Sequence, residues 1–518
     1  MNLSPSAADG FLLRMMQAAD DARKQYKFSE AIQILERASR LNPARSDIWL
    51  KLGGLYVETS DVPAAERCFE QALRAAKNKA ETLTIAGRYC SEARHAGMAT
   101  LAENFYRRAV KLPNASPLLY VQLAKTYELL RRGEDAAEMV EQALKKDKHC
   151  PEALLTCARL ERQTGRIEAA EQTIRSFVTK PNPDFWVHAQ TWYELGAILD
   201  RQGQYDEAFT AFVQAKTLLQ PQSERFHSGL NFFRQRIQGL KTSLTAEQVQ
   251  RWQATGQNFQ PSRRLALLGG HPRSGTTLLE QVLDSHPGII SAEESQIFHF
   301  DTCGTLANRF AEDKPILEHL ELAPLDLIQK LRASYFRYAE LFLGQPVGDR
   351  LLIDKNPSLT FLIPILIRIF PEIKLLIALR DPRDVVLSCF MQPLPLGQAN
   401  SAYLTLESTV AEYLSMMSLW RTLMPMLEGR YLQVRYEDMV ADLESVARQT
   451  LDFLEVPWDA RVLVFDEHAR QKVVRSPTYA DVTQPVYKRA VGRWRNYQKH
   501  LEPHLDKLEP FVKAFGYE

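Results

Sequence analysis

Helical periodicity dominates the first part of the chain. Apolar positions that recur after three and four residues are typical of amphipathic helices packed on one face. A small residue, a large apolar residue and a third, mostly small residue, spaced four and then three apart, return six times, with first members Ala31, Ala65, Ala102, Ala136, Ala170 and Ala208. These first members are separated by 34, 37, 34, 34 and 38 positions, so a unit of about 34 residues repeats with short loop insertions.

That period is the length of the tetratricopeptide repeat, a pair of antiparallel helices. Residues 1–220 are therefore predicted to form an all-α solenoid of about six hairpins with a concave groove for a peptide or protein. A generic helical bundle whose apolar spacing happens to recur is the alternative. Residues 221–262 follow as a predicted capping helix and linker, because solenoid ends need a polar outer face.

From residue 263 to 518 the pattern changes to short apolar runs that alternate with helical segments. The predicted strands are residues 265–270, 350–355, 373–380 and 430–437. Runs of this kind are typical of buried parallel strands. Alternating strands and helices predict an α/β domain with a central parallel sheet.

Composition restricts the function only broadly. The chain has 64 basic and 63 acidic residues and a net charge of +1, which gives no general argument for nucleic acid or an anionic membrane as a partner. Its six cysteines form no CxxC pair, and neither a disulfide framework nor a metal site is predicted. Without a signal-like leader or a long apolar run, we expect a cytoplasmic protein. The sequence leaves the oligomeric state open.

The loop after the first predicted strand, GHPRSGTT at 270–277, indicates an anion site. Compared with the GxxxxGK[ST] phosphate loop, Thr276 takes the place of the lysine. Backbone amides at a helix start and nearby hydroxyl groups can surround one phosphate, and an arginine adds a planar charged fork. The residues that supply these groups are Arg273, Ser274, Gly275, Thr276 and Thr277.

The segment GHPRSGTTLLEQVLDSHP resembles the 5′-phosphosulfate loop of sulfotransferases, most closely that of the tyrosylprotein sulfotransferases. Helical repeats followed by such a domain resemble the bacterial tetratricopeptide-repeat sulfotransferases. The resemblance covers roughly residues 263–500. It implies 3′-phosphoadenosine 5′-phosphosulfate (PAPS) as the cofactor, the bisphosphate PAP as its product, and no required metal.

Two further segments resemble the family's nucleotide site. ALRDPRDVVLSCF matches the 3′-phosphate element at Arg380 and Ser388, although an ion pair of Arg380 with Asp381 or Asp384 is the alternative. YKRAVGRWRNY, at 487–497, resembles the segment that closes over the nucleotide. The resemblance adds as candidate contacts Lys488, Arg489, Arg493 and, from another segment, Tyr436.

The resemblance also implies the catalytic groups. The spacing of Glu294 from the loop matches this residue to the family's base, with the adjacent Glu293 as the alternative. The resemblance also matches Lys355 to the lysine that steadies the bridging oxygen. Arg273 would assist Lys355. Two histidines, His271 and His286, compete as bases, and packing or capping is favoured for His286. The late serine of the tyrosylprotein enzymes has no clear counterpart here.

These patterns predict a PAPS-dependent sulfotransferase whose repeat groove recruits an acceptor or a partner. The acceptor stays open between tyrosine, another phenol, a sugar hydroxyl and a small metabolite. One alternative is an ATP-dependent phosphotransferase, for which Asp354 would be the magnesium ligand. The other is a scaffold whose second domain is catalytically silent.

Overall fold

The computed structural model describes residues 5–93, 96–256, 259, 263–300, 315–471 and 489–517. Contacts divide the chain into two compact units. The first unit comprises Met1–Lys148 and Glu294–Gly348, and the second comprises His149–Glu293 and Asp349–Glu518. Within the described residues, no helix is long and apolar enough to cross a membrane.

The part of the chain before the sheet is helical. Its helices are α1 (Pro5–Lys24), α2 (Phe28–Leu41), α3 (Ser46–Glu58), α4 (Val62–Ala75), α5 (Lys79–Glu92), α6 (Ala96–Val110), α7 (Pro117–Leu129), α8 (Gly133–Lys146), α9 (Pro151–Gln163), α10 (Ile167–Arg175), α11 (Phe185–Arg201), α12 (Tyr205–Ser243) and α13 (Ala246–Gly256).

Strands and helices then alternate. The order is β1 (Leu265–Gly270), α14 (Thr276–Asp284), β2 (Ile289–Glu293), α15 (Ile316–Leu322), α16 (Leu325–Leu343), β3 (Leu351–Lys355), α17 (Ile363–Ile369), β4 (Lys374–Leu379), α18 (Pro382–Phe390), α19 (Leu406–Leu423), β5 (Tyr431–Arg435), α20 (Tyr436–Ala441), α21 (Leu443–Phe453), α22 (Phe465–Gln471) and α23 (Gln498–Ala514). A short 3-10 helix, Arg493–Tyr497, precedes α23.

The first two positions of each repeat set lie in the second helix of its hairpin. The first alanines of all six sets are fully buried. Small residues in the first helices explain the close approach within a hairpin, because a methyl group at Gly53 would lie 2.5 Å from the Phe69 ring and one at Gly196 would lie 2.6 Å from the Phe212 ring. The helical repeat prediction is confirmed.

Helix α12 extends well beyond the last repeat motif. It has 39 residues and contains Pro221, so the predicted boundary at residue 220 lies within one continuous helix. The division into residues 1–220, 221–262 and 263–518 stays a prediction, and each compact unit contains part of the helical region.

The second unit contains a five-stranded sheet in the order β2-β3-β1-β4-β5. Every neighbouring pair is parallel. The four predicted strands are confirmed, and β2 is an additional strand that the sequence pattern did not predict. Since the strands are parallel, their carboxyl ends share one edge, where α/β sheets usually bind ligands. In the register, Lys355 is the Cα partner of both Leu268 on β1 and Glu293 on β2.

In the first unit, the chain after β2 packs against the first helical hairpin. The rings of Phe28 and Phe300 meet edge to face at 4.5 Å. The hydroxyl groups of Ser29 and Tyr338 are 3.2 Å apart. The segment that begins with Glu294 is therefore anchored on α2 of this unit.

Candidate functional site

The turn after β1 requires glycine. Gly270 has a φ of +121°, and a methyl group there would lie 2.3 Å from the carbonyl oxygen of Ala378. Thr360 fixes the same residue, because its hydroxyl accepts from the Gly270 amide and donates to the Gly270 carbonyl, both at 2.8 Å. The strand therefore ends sharply and the chain turns into the loop.

The loop itself has a strained backbone and leads directly into a helix. Arg273 has a φ of +74° and Gly275 a φ of +92°. A methyl group at Gly275 would lie 2.7 Å from the Tyr436 ring, so only glycine fits at the start of α14. The side chains of Ser274, Thr276 and Thr277 are largely buried around this turn. The hydroxyl groups predicted from the sequence thus gather where helix amides favour an anion.

The loop is joined to the second predicted phosphate element. Arg273 Nε donates to Ser388 Oγ at 3.0 Å, and Arg380 Nη1 donates to the Arg273 carbonyl at 3.3 Å. The guanidinium group of Arg380 lies 5.2 Å from the centre of the Tyr436 ring. Its Nε is buried and makes no hydrogen bond within the described structure. The fold therefore brings these four predicted residues together.

Asp384 lies between Arg380 and the late segment. Its Oδ2 is 3.6 Å from Arg380 Nη2 and accepts from the Gly492 amide at 2.8 Å, while its Oδ1 accepts from the Trp494 amide at 2.7 Å. Burial raises the pKa of Asp384, and the charge of Arg380 opposes this. The alternative ion pair of Arg380 is thus present with Asp384 at long distance, whereas Asp381 pairs with Arg383 at 2.7 Å.

Lys355 ends β3 and is completely buried. Its Nζ lies 3.2 Å from Glu293 Oε1 and 3.4 Å from Glu280 Oε2. Glu280 is also fully buried and accepts a hydrogen bond from the Ser291 hydroxyl group. Sequence reasoning missed Glu280, although a glutamate on the apolar side of the short helix α14 was the available signal.

The two adjacent glutamates have different settings. Glu293 is the last residue of β2 and contacts Lys355, as described above. Glu294 follows with a φ of +44°, half-buried, and belongs to the first compact unit. A left-handed residue between strand and loop turns the chain, so the two carboxylates leave the backbone in different directions.

The late basic residues differ in placement. Lys488 lies outside the described residues. Arg489 is exposed. Arg493 Nη2 forms an ion pair with Asp200 Oδ2 at 2.6 Å, so this predicted phosphate contact has a protein partner on α11.

Both histidines hydrogen-bond within turns, and His271 Nε2 has no hydrogen-bond partner among the described residues. His271 is completely buried, its Nδ1 donates to the Pro272 carbonyl at 2.9 Å, and burial lowers its pKa to about 4. His286 Nε2 donates to the Pro457 carbonyl at 2.8 Å, and its Nδ1 accepts from the Gly288 amide at 2.9 Å. Both rings thus stabilise turns.

The carboxylate proposed for magnesium in the phosphotransferase alternative, Asp354, is buried within β3. Among the residues that the structure describes, no group of three or more His, Cys, Asp or Glu could hold a metal ion.

Helical repeats and a parallel sheet with a glycine-containing anion loop define a two-part class of protein, in which a repeat region is joined to an α/β domain. The tetratricopeptide repeat models match residues 22–84, 130–177 and 189–218, and the Sulfotransferase family model matches residues 266–460. These parts of the chain therefore resemble tetratricopeptide repeats followed by a domain of the sulfotransferase family.

Curated relatives match parts of the chain. An uncharacterized protein of Aquifex aeolicus is 26% identical over 66% of this chain and 44% of its own length. Protein-tyrosine sulfotransferase A of Caenorhabditis elegans is 24% identical over 48% of this chain and 66% of its own length. The Drosophila melanogaster protein-tyrosine sulfotransferase is 26% identical over 49% of this chain and 52% of its own length. The chain thus spans between 44% and 66% of the length of these relatives.

Two solved structures also resemble the chain. The sulfotransferase domain of the Synechococcus PCC 7002 olefin synthase is 26% identical, covering 46% of this chain and 88% of that one, with a TM-score of 0.32. The sulfotransferase domain of the curacin biosynthetic pathway is 20% identical, covering 50% and 99%, with a TM-score of 0.33. Scores this low establish no common fold.

Proposed function

We propose that this protein is a PAPS-dependent sulfotransferase that transfers a sulfuryl group to an acceptor hydroxyl. The observation that carries the proposal is the contact between the anion loop and the second phosphate element, Arg273 with Ser388 and Arg380 with the loop carbonyl. A nucleotide with phosphates at both its 5′ and 3′ positions needs two such elements side by side. The match to the sulfotransferase family supports the same reading.

The residues present fit this cofactor. Gly275 lets the Tyr436 ring pack closely against the helix start, and Arg380 has a buried Nε without a hydrogen bond among the described residues. The 5′-phosphate would be held by Ser274, Gly275, Thr276 and Thr277. The 3′-phosphate would be held by Arg380 and Ser388, beside Tyr436. By the resemblance, Arg489, Arg493 and Lys488, the last outside the described residues, would add further contacts.

Bound PAPS would supply the sulfuryl group. In the transfer, the acceptor oxygen forms a bond to sulfur, the bond from sulfur to the bridging phosphate oxygen breaks, and the acceptor proton passes to a carboxylate. Glu294 is the proposed base, because Glu293 already contacts Lys355. Lys355 and Arg273 would stabilise the negative charge that builds on the bridging oxygen.

The acceptor would be a peptide, a protein or a small molecule brought by the repeat region. Two of the relatives above are described as protein-tyrosine sulfotransferases, which makes a tyrosine hydroxyl the first acceptor to test. Tetratricopeptide hairpins commonly present a groove to peptides, which supports recruitment by the repeats.

Calorimetric titration with PAP, with ADP and ATP alongside, tests the cofactor. We expect PAP to bind preferentially, and Arg380→Ala to weaken PAP about 10- to 100-fold, since hydrogen bonds to charged groups contribute about 1.5–3 kcal/mol. The matched control is Arg461→Ala, since Arg461 is exposed and pairs with Asp459. Preference for ATP would favour the phosphotransferase instead, and absence of nucleotide binding would favour the scaffold.

A further inference from the structure

A carboxylate of the repeat region contacts the segment expected to close over the nucleotide. Asp200 lies in the last turn of α11. Its Oδ1 accepts a hydrogen bond from the Tyr497 hydroxyl at 2.6 Å, and its Oδ2 forms the 2.6 Å ion pair with Arg493. Tyr497 is completely buried, and the Asp200 side chain is 16% exposed. Both carboxylate oxygens therefore engage one short 3-10 helix.

The start of that 3-10 helix is fixed by the candidate phosphate site. The amides of Gly492 and Trp494 donate to Asp384, as described above. Arg380 Nη2 donates to the carbonyl oxygen of Ala490. The guanidinium group of Arg383 also stacks 4.2 Å from the centre of the Trp494 ring. Residues 490–497 thus connect Arg380 to α11.

A helix of this kind has little stability of its own. Runs of 3-10 helix are short and their hydrogen bonds have poor geometry, and Gly492 before it adopts a φ of +68°. Its position is therefore set by its partners, which are Asp384 at one end and Asp200 at the other. Loss of the Asp200 charge would leave Arg493, which is two-thirds buried, without its ion-pair partner.

We propose that Asp200 is a positioning residue for the nucleotide, through which the last repeats hold the closing segment against Arg380. This inference rests on the proposed function. Asp200 acts through Arg493 and Tyr497 on the segment that Arg380 contacts. Binding of the 3′-phosphate is therefore the interaction that this contact strengthens. Because coupling of this kind is reciprocal, nucleotide binding also stabilises the junction of α11 with this segment.

The test compares PAP with adenosine 5′-phosphate, which lacks only the 3′-phosphate, by calorimetry on the full chain. Asp200→Asn should weaken PAP about tenfold, because it removes a charged partner of Arg493 and a hydrogen-bond acceptor of Tyr497, and should leave adenosine 5′-phosphate nearly unchanged. General destabilisation would weaken both ligands alike, so the ratio of the two affinities reports positioning. Asp206→Asn is the matched control, since Asp206 on α12 pairs with Lys499 and His500 on α23 at the surface.

Tyr497→Phe keeps the buried ring and removes its hydrogen bond to Asp200. The ratio of PAP affinity to adenosine 5′-phosphate affinity should therefore also fall, by about two- to tenfold. This variant decides the question if Asp200→Asn does not fold. An unchanged ratio of PAP to adenosine 5′-phosphate affinity in both variants, with Arg380→Ala still weakening PAP selectively, would overturn the inference and leave the proposed function standing. A wild-type chain without preference for PAP would instead remove the proposed function.

Discussion

Two lysines of the second unit are almost fully buried, and their surroundings differ. Lys355, at the end of β3, has carboxylate oxygens of Glu280 and Glu293 within 3.4 Å of its Nζ. Lys216, on α12, donates to the Tyr403 carbonyl at 2.6 Å and lies 5.4 Å from the Tyr193 ring centre. The first lysine has compensating charges, whereas the second has a backbone dipole and aromatic faces.

The difference distinguishes a buried lysine that is paired with carboxylates from one that is packed among uncharged groups. Removing an ion from water is costly unless opposite charges or hydrogen bonds compensate it. At Lys355 the compensation comes from two elements, α14 and β2, which fixes the ammonium group at the ligand edge of the sheet. At Lys216 the cost of removing the charge from water appears as a pKa shift, because burial lowers the pKa of this lysine to about 7.

The largest expected effect is on stability at the carboxylate cluster. Lys355→Met leaves buried carboxylates without their ammonium partner, and breaking such a pair costs about 3–5 kcal/mol. The double variant Lys355→Met/Glu280→Gln removes one charge of each sign, so it should recover more than half of that loss. Urea unfolding of the three chains measures the free energies. Equal stability of the single and double variants would show that Glu280 does not compensate Lys355.

The second expected effect is on turnover. Loss of a group that stabilises developing charge typically lowers the rate about 10²- to 10³-fold, so Lys355→Met should slow sulfuryl transfer from PAPS to a peptide that the wild-type chain sulfates. PAP affinity should change less than the rate. The double variant should remain as slow as the single one, although its stability recovers. A double variant with wild-type turnover would assign Lys355 a purely structural role.

The sequence predicted the fold where pattern and local chemistry agree. Alternating apolar runs identified β1, β3, β4 and β5, and the helical repeat identified the buried alanines. Strand β2 was missed because it is short and because its last residue, Glu293, is followed directly by Glu294, a pair that also occurs at helix starts. The end of the repeats was placed at residue 220 because the motif stops there, whereas packing carries α12 through Pro221.

For the site, residues within the recognisable loop and the Arg380 segment could be placed beside each other from the sequence. Glu280 and Asp200 could not, because each is an isolated acidic residue on a helix whose partners come from distant parts of the chain. Pairing of Lys355 with Glu280 depends on the register of β3 and on the packing of α14. A single sequence carries no signal for contacts of that kind.

Per pH unit, the smallest of the three effects is the pH dependence that Lys216 contributes. Its pKa is about 7 in the folded chain and about 10.4 when unfolded, so between these values the unfolded chain binds more protons. Stability contributed by this residue therefore rises with pH over that range and reaches its low limit below about pH 7. The slope should approach roughly 1.4 kcal/mol per pH unit in the middle of the range.

Lys216→Met isolates this contribution, because the other titrating groups remain in both chains. The free energy of unfolding of the wild type minus that of the variant should increase from about pH 7 to about pH 9, measured by urea unfolding at several pH values. Lys148→Met, at an exposed lysine, should show no such increase. A flat difference for Lys216→Met would mean that this ammonium group stays charged in the folded chain. The contrast with Lys355 would then rest on the partners of the two lysines and not on their titration.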